Sequence, residues 1–349
     1  MNQRPRIGWV LDTSPQRVWP LPWDGMSPVG RIRYGGIARY LDKTSSLQME
    51  RYRPWNRYEA VVFVKMMSEA AYTLARNLKK KGTRVVFDAN VNYYESFGDF
   101  RTPGTQPTET QREQAVRMTQ LADVVVADSS YLCALCKTLN PKTIFIPDAV
   151  DTDFFKPRSA RPSSQKRPMT LIWSGIGKKA DHLELIEDVL MDLKGQIHLV
   201  LVPSPKKPFD RPAAVLERLR EQMGAAIFNF DYKTYPRRLE EADIIISPKD
   251  LRSSYELAHT EYKITLGMSM GLPAIASPQQ SYKEAIGDGS GGHICSTPED
   301  WRSILKRYLS DPRLLEVQGV RARDRVLSRY AIPVVAPHYA QVLEEICRP

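Results

Sequence analysis

Three segments of this chain set glycines or other small residues beside cations, the arrangement an anion site needs. SGIGKK (174–179) follows the apolar run TLIW and precedes a helical pattern. Gly175 and Gly177 would let the backbone approach a phosphate closely, and helix N-terminal N–H groups would point at it. Lys178 and Lys179 would offset its charge, with Ser174 at the end of the strand. Neither the dinucleotide fingerprint nor the Walker A pattern is complete here, so a plain tight turn is the competing reading. EYKITLGMSMGLPAIASP (261–278) is a small-residue helix ending at Gly271-Leu272-Pro273, followed by an apolar strand. Lys263 falls near the start of that helix, an unfavourable place for a cation unless an anion is bound there. Glu261 lies two residues before it, and an exposed lysine accounts for the position equally well. In SPVGRIRYGGIARYL (27–41), Arg31 and Arg33 alternate with apolar residues, and Gly35-Gly36 are read as opening a helix. A glycine pair at a helix start beside two arginines suits an anion, and a loop with solvated arginines is the alternative.

The elements that must position these residues alternate between strand and helix, twice over. Residues 6–11, 59–65, 84–88, 123–128 and 143–147 are short, nearly continuous apolar runs, as expected of parallel strands buried on both faces. Between the second and third, Met67, Ala70, Ala71, Leu74, Ala75 and Leu78 repeat at helical spacing and Gly82 supplies a stop. KPRSARPSSQKRP (156–168) has no apolar periodicity and reads as a linker. The alternation then restarts. Strands are expected at 169–175, 197–203, 225–230, 242–248, 272–277 and 291–295, with helices at 182–193, 212–223, 236–242 and 261–271. Helical patterns close the chain, the last carrying Val335, Tyr339, Val342, Leu343 and Ile346. Two doubly wound α/β domains follow, 1–158 with a returning helix at 333–349, and 169–332. Ligands in such sheets bind outside the carboxyl ends of the strands, so the expected site is a cleft that the two domains face.

The 349 residues, 42% hydrophobic and 26% charged, describe a globular chain. No run approaches the roughly 18 apolar residues of a membrane span, and the N-terminus lacks the pattern of a secretory signal. A cytoplasmic protein is expected. The net charge of +10 and pI near 9.3 favour anionic partners, although no nucleic-acid-binding signature accompanies them. Lys79-Lys80-Lys81 ends a helix, where cations suit the dipole. Binding at an anionic membrane face is the rival reading. Cys133 and Cys136 share one helical face, with no second pair or nearby histidine to complete a zinc site, and read as small buried hydrophobes. Asp151-Thr152-Asp153 reads as capping and turn chemistry. Asp88 follows a strand, with Asn90 and Tyr93 nearby, and is an acceptor-side candidate.

Beyond these readings, the chain resembles the retaining GT-B glycosyltransferases often called family 4, of the glycosyl transferase group 1 type. IPDAVDTDFFKP (146–157) is similar to the family's interdomain "I-P-N-G-V-D-x-x-x-F-x-P", and TLIWSGIGKK to its donor-domain "W-x-G-S". ADIIISP and YKITLGMSMGLPAIASP resemble "A-D-I-x-x-x-P" and "K-L-x-E-x-M-A-x-G-x-P-V-V-A-S". In the first half, RIRYGGIARYL and VVFVK…LKKKGTRVVFDAN resemble a subgroup carrying "R-x-R" and "G-K-x-V-x-D". The resemblance covers nearly the whole chain and implies a GT-B fold of two Rossmann-like domains. It implies a hexosyltransferase-like enzyme that moves a sugar from a nucleotide-sugar to a glycan, lipid-linked or small-molecule acceptor. Retention, no metal, no cofactor beyond the co-substrate, and a role in polysaccharide biosynthesis are expected with it, at the cytoplasmic face of the membrane if the protein associates with one.

Carried over by residue, Gly175 and Gly177 would shape the loop below the donor phosphates, and Lys178, Lys179 and Lys263 would oppose the diphosphate as catalytic cations. Gly271 would match the turn after the donor helix, and Phe230, Asp231 and Tyr232 the loop that meets the nucleobase. Ser174 and Glu261 join them on the donor side, and Arg31, Arg33, Gly35, Gly36 and Asp88 on the acceptor side. Two glutamates that the family sets with seven residues between them fall here on Ala258 and Leu266, and the arginine after its first glycine on Ile176. Leucine cannot accept a hydrogen bond from a ribose hydroxyl. An altered donor, or a catalytically inactive GT-B-like binding or scaffold subunit, is therefore the alternative. A nucleic-acid partner, suggested only by charge, is not expected.

Overall fold

A computed structural model describes residues 4–11, 28–157, 167–204 and 214–348. They divide into two compact units. The first comprises Met1–Asp151, Ser253–Thr260 and Arg329–Pro349, and the second Thr152–Arg252 and Glu261–Ser328. Most of the expected linker, 158–166, lies outside the described residues, as does the start of the helix expected at 212–223.

The first unit is a six-stranded parallel sheet in the order β2-β1-β3-β4-β5-β6. Its strands are β1 Arg6–Leu11, β2 Gln48–Arg51, β3 Ala60–Val64, β4 Arg84–Ala89, β5 Val124–Ala127 and β6 Thr143–Phe145. Helices α1 Pro28–Gly30 and α2 Gly36–Thr44 follow β1, joined by a π-helical turn at Arg31–Gly35. Next come α3 Glu69–Lys80, α4 Glu109–Leu121 and α5 Ser130–Leu139. The apolar runs are continuous because both faces of the sheet are covered. On one face Ile7, Trp9 and Val62 pack with Ile37, Leu41, Val335 and Leu343. On the other, Val61, Phe63 and Val125 pack with Ala71, Ala75, Met118, Leu132, Cys133 and Cys136. The two cysteines are thus apolar fillers of one helix face, and burial pushes both thiols up from their usual range. Ser68, Thr108 and Ser129 cap the three helices on this second face, Thr108 in a reciprocal box with Gln111. Lys79, in the last turn of α3, donates to the Leu121 carbonyl and pairs with Asp123 at 2.9 Å, which ties α3 to the end of α4.

The second unit repeats the plan, with strand order β12-β11-β10-β7-β8-β9. Its strands are β7 Met169–Gly175, β8 Ile197–Pro203, β9 Ala226–Ile227, β10 Ile244–Ser247, β11 Ala274–Ala276 and β12 Gly292–Ile294. All pairings in both sheets are parallel. The helix expected at 182–193 is instead a 3-10 helix at Gly177–Ile186 running into α6 Glu187–Asp192. Then follow α7 Ala214–Met223, α8 Tyr235–Glu240, α9 Ser254–Leu257, α10 Tyr262–Ser269 and α11 Gln280–Ile286. The chain ends with α12 Pro298–Ser310, α13 Arg313–Arg329 and α14 Ile332–Cys347. The core joins Leu171, Trp173, Leu183, Leu199, Leu201, Ile244 and Ile246 to Trp301, Leu305 and Tyr308.

Part of the chain groups differently from the expected split. Residues 253–260, read as part of the second domain, belong to the first unit. Ser254 explains why: its N–H donates to the Phe97 carbonyl at 3.0 Å and its hydroxyl to the Glu95 carbonyl at 3.1 Å. Asn92 also donates to the Ser254 carbonyl, and Ser129 to that of Ala258. The returning helix α14 belongs to the first unit, where Tyr339 and Leu343 enter the core.

Candidate functional site

In the second unit β7 is central. The chain builds β8 and β9 on one side of it, then β10, β11 and β12 on the other. The strand order therefore reverses between β7 and β10, and it is at the carboxyl ends of such a pair that doubly wound sheets hold ligands. SGIGKK is the exit from β7. Lys263, at the first turn of α10, reaches the same point. A Cβ on Gly175 would stand 3.1 Å from Lys263 Nζ and 3.1 Å from the Trp173 ring. Lys263 Nζ lies 5.4 Å from the Trp173 ring centroid. Gly175 is thus glycine because an ammonium and an indole fill the space a side chain would need. Gly177 differs, since a Cβ there would make only ordinary contacts.

The loop is tied down rather than open. Ser204 N–H donates to the Gly175 carbonyl at 2.7 Å, and Gly177 N–H to Ser204 Oγ at 3.2 Å. Lys179 N–H donates to the Ile176 carbonyl at 2.8 Å. The N–H groups of Gly177 and Lys179 are therefore engaged, the first by Ser204 after β8 and the second within the loop. Lys178 is exposed and Lys179 buried. Ser174 is buried and accepts from Tyr235 Oη at 2.8 Å, which ties the end of β7 to α8.

Other expected donor residues take structural roles. Gly271 has φ +81° and ends α10 in a Schellman motif, with Gly271 N–H on the Met268 carbonyl and Leu272 N–H on that of Gly267. Phe230 packs on Tyr235, and Tyr232 stacks on Phe154 with centroids 5.0 Å apart and planes at 10°. Asp231 accepts from Thr234 N–H at 3.0 Å. Glu261 is 1% exposed at the entry to α10. Leu266 is buried as well, so no carboxylate stands at that position to meet a ribose.

One cation at this end of the sheet escaped the sequence reading. Lys249 follows β10, is buried, and donates to Gln279 Oε1 at 2.7 Å. Asp250 N–H donates to His182 Nδ1 at 2.8 Å, which fastens the loop to the 3-10 helix after β7. The signal that could have found it was a lysine directly after the apolar run ADIIISP.

The acceptor-side candidates fare differently. Gly35 and Gly36 do not open a helix; both are αR residues inside the helical run that starts at Pro28. Gly36 is small because a Cβ would stand 2.5 Å from the Ile332 side chain on α14. Arg31 is half-buried. Arg33 is 1% exposed and Asp88 fully buried, so neither presents an open charge. Arg33 Nε donates to both Asp88 oxygens at 3.2 Å, and Nη1 to Asp148 Oδ1 at 3.1 Å and to the Ile146 carbonyl at 2.9 Å. Nη2 donates to Tyr339 Oη at 2.8 Å, and Tyr339 in turn donates to Asp88. Burial works against the Arg33 charge, but Asp88, Tyr339 and Asp148 outweigh it and hold the guanidinium firmly protonated.

Asp128, at the end of β5, completes this cluster. It is 3% exposed, and its Oδ1 accepts no hydrogen bond among the described residues. Burial first, then Asp148, drive its pKa well above the carboxylate range, against the pull of Arg33. Asp148 is raised mainly by burial too. A raised carboxyl is protonated in the folded chain at pH values where the unfolded chain has released its proton. The stabilisation is therefore full below about pH 4 and drains as pH rises toward the folded-state values. Asp88, Asp148, Arg33, Asn90 and Cys136 are the groups that face Asp128 electrostatically. Asp128→Asn is expected to flatten the fall of melting temperature between pH 4 and 7, read by calorimetry across that range. An unchanged slope would mean that Asp128 is ionised in the fold.

Among the described residues no group of three or more His, Cys, Asp or Glu is arranged to hold a metal, and no helix is long and apolar enough to cross a membrane. No protein-family model matches the chain. No curated protein sequence matches it either. Solved structures do. A glycosyltransferase from Rickettsia africae matches over 100% of both chains with a TM-score of 0.66 at 15% identity. Anabaena HepE in complex with UDP-glucose matches over 88% of each chain, with a TM-score of 0.64 at 14% identity. TarM matches 81% of this chain with a TM-score of 0.61 at 12% identity, and this chain spans 54% of TarM. The fold is that of GT-B glycosyltransferases, two Rossmann-like α/β units, as the resemblance implied.

Proposed function

We propose that this chain is a glycosyltransferase whose second unit holds a nucleotide-sugar by its diphosphate, at the switch point between β7 and β10. The observation that carries the reading is the convergence of Lys263 Nζ on Gly175, where a lysine at a helix start meets a glycine exit turn. The fold supports it, and so does the likeness to Anabaena HepE, a structure solved in complex with UDP-glucose. In the reaction the bond from the sugar's anomeric carbon to the diphosphate oxygen breaks, and its electron pair stays with the diphosphate. The acceptor hydroxyl oxygen forms the new bond, and its proton passes to the departing phosphate. Charge grows on the leaving group, and Lys263, with Lys178 from the loop, stabilises it. Retention, a hexosyl donor and independence from metal belong to this proposal, as does a glycan, lipid-linked or small-molecule acceptor. So does work in the cytoplasm, with peripheral association at a membrane.

A second reading is a binding or scaffold subunit without catalysis, favoured by the buried Leu266 where a ribose-holding carboxylate was expected. Thermal denaturation with a panel of nucleoside diphosphates and sugar nucleotides separates the two. The transferase reading expects one nucleotide at 100 times its dissociation constant to add about 2.7 kcal/mol of stability. No shift with any member of the panel would favour the scaffold.

A further inference from the structure

Helix α13 turns one face to the protein and leaves an apolar stripe on the other. Gln318, Gly319, Ala322 and Val326 are buried, and Gly319 is glycine because the Gly271 carbonyl lies against it. Val317, Val320 and Leu327 stand outward, 49%, 63% and 39% exposed. Among the large apolar side chains of the described residues only Trp55 is more exposed than Val320. Helix propensity favours alanine, lysine or glutamate over valine, so nothing local calls for two valines in water.

Their spacing gives the stripe a shape. Arg313, Val317, Val320, Asp324 and Leu327 are all exposed and follow in steps of four, three, four and three, the spacing of a coiled-coil seam. A single exposed hydrophobe is ordinary, whereas a seam is a surface that a second helix fits.

The charges in the seam select that helix. Consider α13 laid antiparallel on its own copy, about a two-fold axis midway between Val317 and Val320. Val317 then meets Val320 of the second copy, and Arg313 meets its Asp324, and symmetry repeats both pairings. Laid parallel, the same seam sets Arg313 on Arg313 and Asp324 on Asp324, which repel. Elsewhere exposed arginines close on acids three residues away, as Arg112 does on Glu109 at 2.9 Å and Arg302 on Glu299 at 2.6 Å. The side chains of Arg313 and Asp324 form no such ion pair among the described residues.

We propose that the chain forms a two-fold dimer through α13, with the four valines of the two helices at its centre and an Arg313–Asp324 pair at each end. The valines supply the attraction by leaving water, and the end pairs fix direction and register. The contact is small, so association is weak and depends on concentration. The dimer is independent of the proposed transferase reading.

Sedimentation equilibrium of the whole chain at about 1–300 µM reads the association. The mass is expected to climb from 39.8 kDa toward twice that value. Val320→Asp sets a carboxylate against each Val317 and should weaken the dimer about thirty-fold or more. Its melting temperature as a monomer should stay level, since the side chain is exposed there. Arg313→Glu alone, or Asp324→Arg alone, opposes like charges and should weaken the dimer about ten-fold. The two exchanges together restore opposite charges, and affinity should return to within about three-fold of the parent's. A parent that stays monomeric throughout would overturn the dimer. So would a Val320→Asp chain that associates as the parent does, or a double exchange no better than the single ones. A monomeric parent whose binding to phosphatidylglycerol vesicles is lost in Val320→Asp would also overturn it, and would give the face to a membrane.

Discussion

Arg33→Met is expected to cost the first unit about 3–5 kcal/mol, enough to unfold it near room temperature or to leave it marginal. The guanidinium is the hub of a buried set: it donates to Asp88, Asp148, Tyr339 and the carbonyls of Ile146 and Pro147. These partners come from β4, from the segment after β6 and from α14, so one side chain fastens three parts of the unit. Methionine fills much of the volume but leaves three buried carboxyls with no cation among them. Asp128 and Asp148, whose pKa values burial already raises, carry less charge at low pH, so the loss should be smaller at pH 4 than at pH 7. Urea unfolding at both pH values reads the difference. Arg33→Met combined with Asp88→Asn should recover part of the loss, because one of the stranded carboxyls is gone. A change below about 1 kcal/mol at pH 7 would mean that the network contributes little beyond its own desolvation.

The largest effect on activity is expected from Lys263→Ala, a fall in turnover of roughly 10²–10³-fold from the loss of one cation at the leaving diphosphate. The melting temperature of the unliganded chain should change little, since Lys263 is only half-buried. Gly175→Ala approaches the same point from the other side. Its Cβ would stand 3.1 Å from Lys263 Nζ, so the ammonium must shift by a few tenths of an ångström and turnover should drop in the same direction by a smaller factor. A Lys263→Ala enzyme with the parent's turnover would place the leaving group elsewhere.

Much of the fold was legible because burial on both faces leaves a plain mark: runs such as AVVFV and DIIIS are apolar at nearly every position. β2 was not, since QMER alternates as an edge strand and carries two charges. Helix α4, ETQREQAVRMTQL, was missed because its apolar face is only Ala115, Met118 and their neighbours, and its start is set by the Thr108–Gln111 capping box. In the site, the convergence of Lys263 and SGIGKK could be read from residue type and order. The fate of Arg33 and Asp88 could not. An arginine between apolar residues looks the same whether it faces water or a carboxylate that lies 55 residues away. Lys65 carries no sequence mark of its left-handed backbone, φ 59°. Gly271 and Gly36 show a related limit: a glycine marks a need for space or for a left-handed turn without saying whether ligand or protein imposes it.

The most direct measurement is isothermal titration of the intact chain with UDP and, separately, with uridine. If cations at the exit of β7 hold a diphosphate, UDP binds one to one, more weakly as salt rises, while uridine binds at least ten-fold more weakly and Lys263→Ala abolishes the difference. Equal affinity for UDP and uridine, or a Lys263→Ala chain that binds UDP as the parent does, would contradict the account.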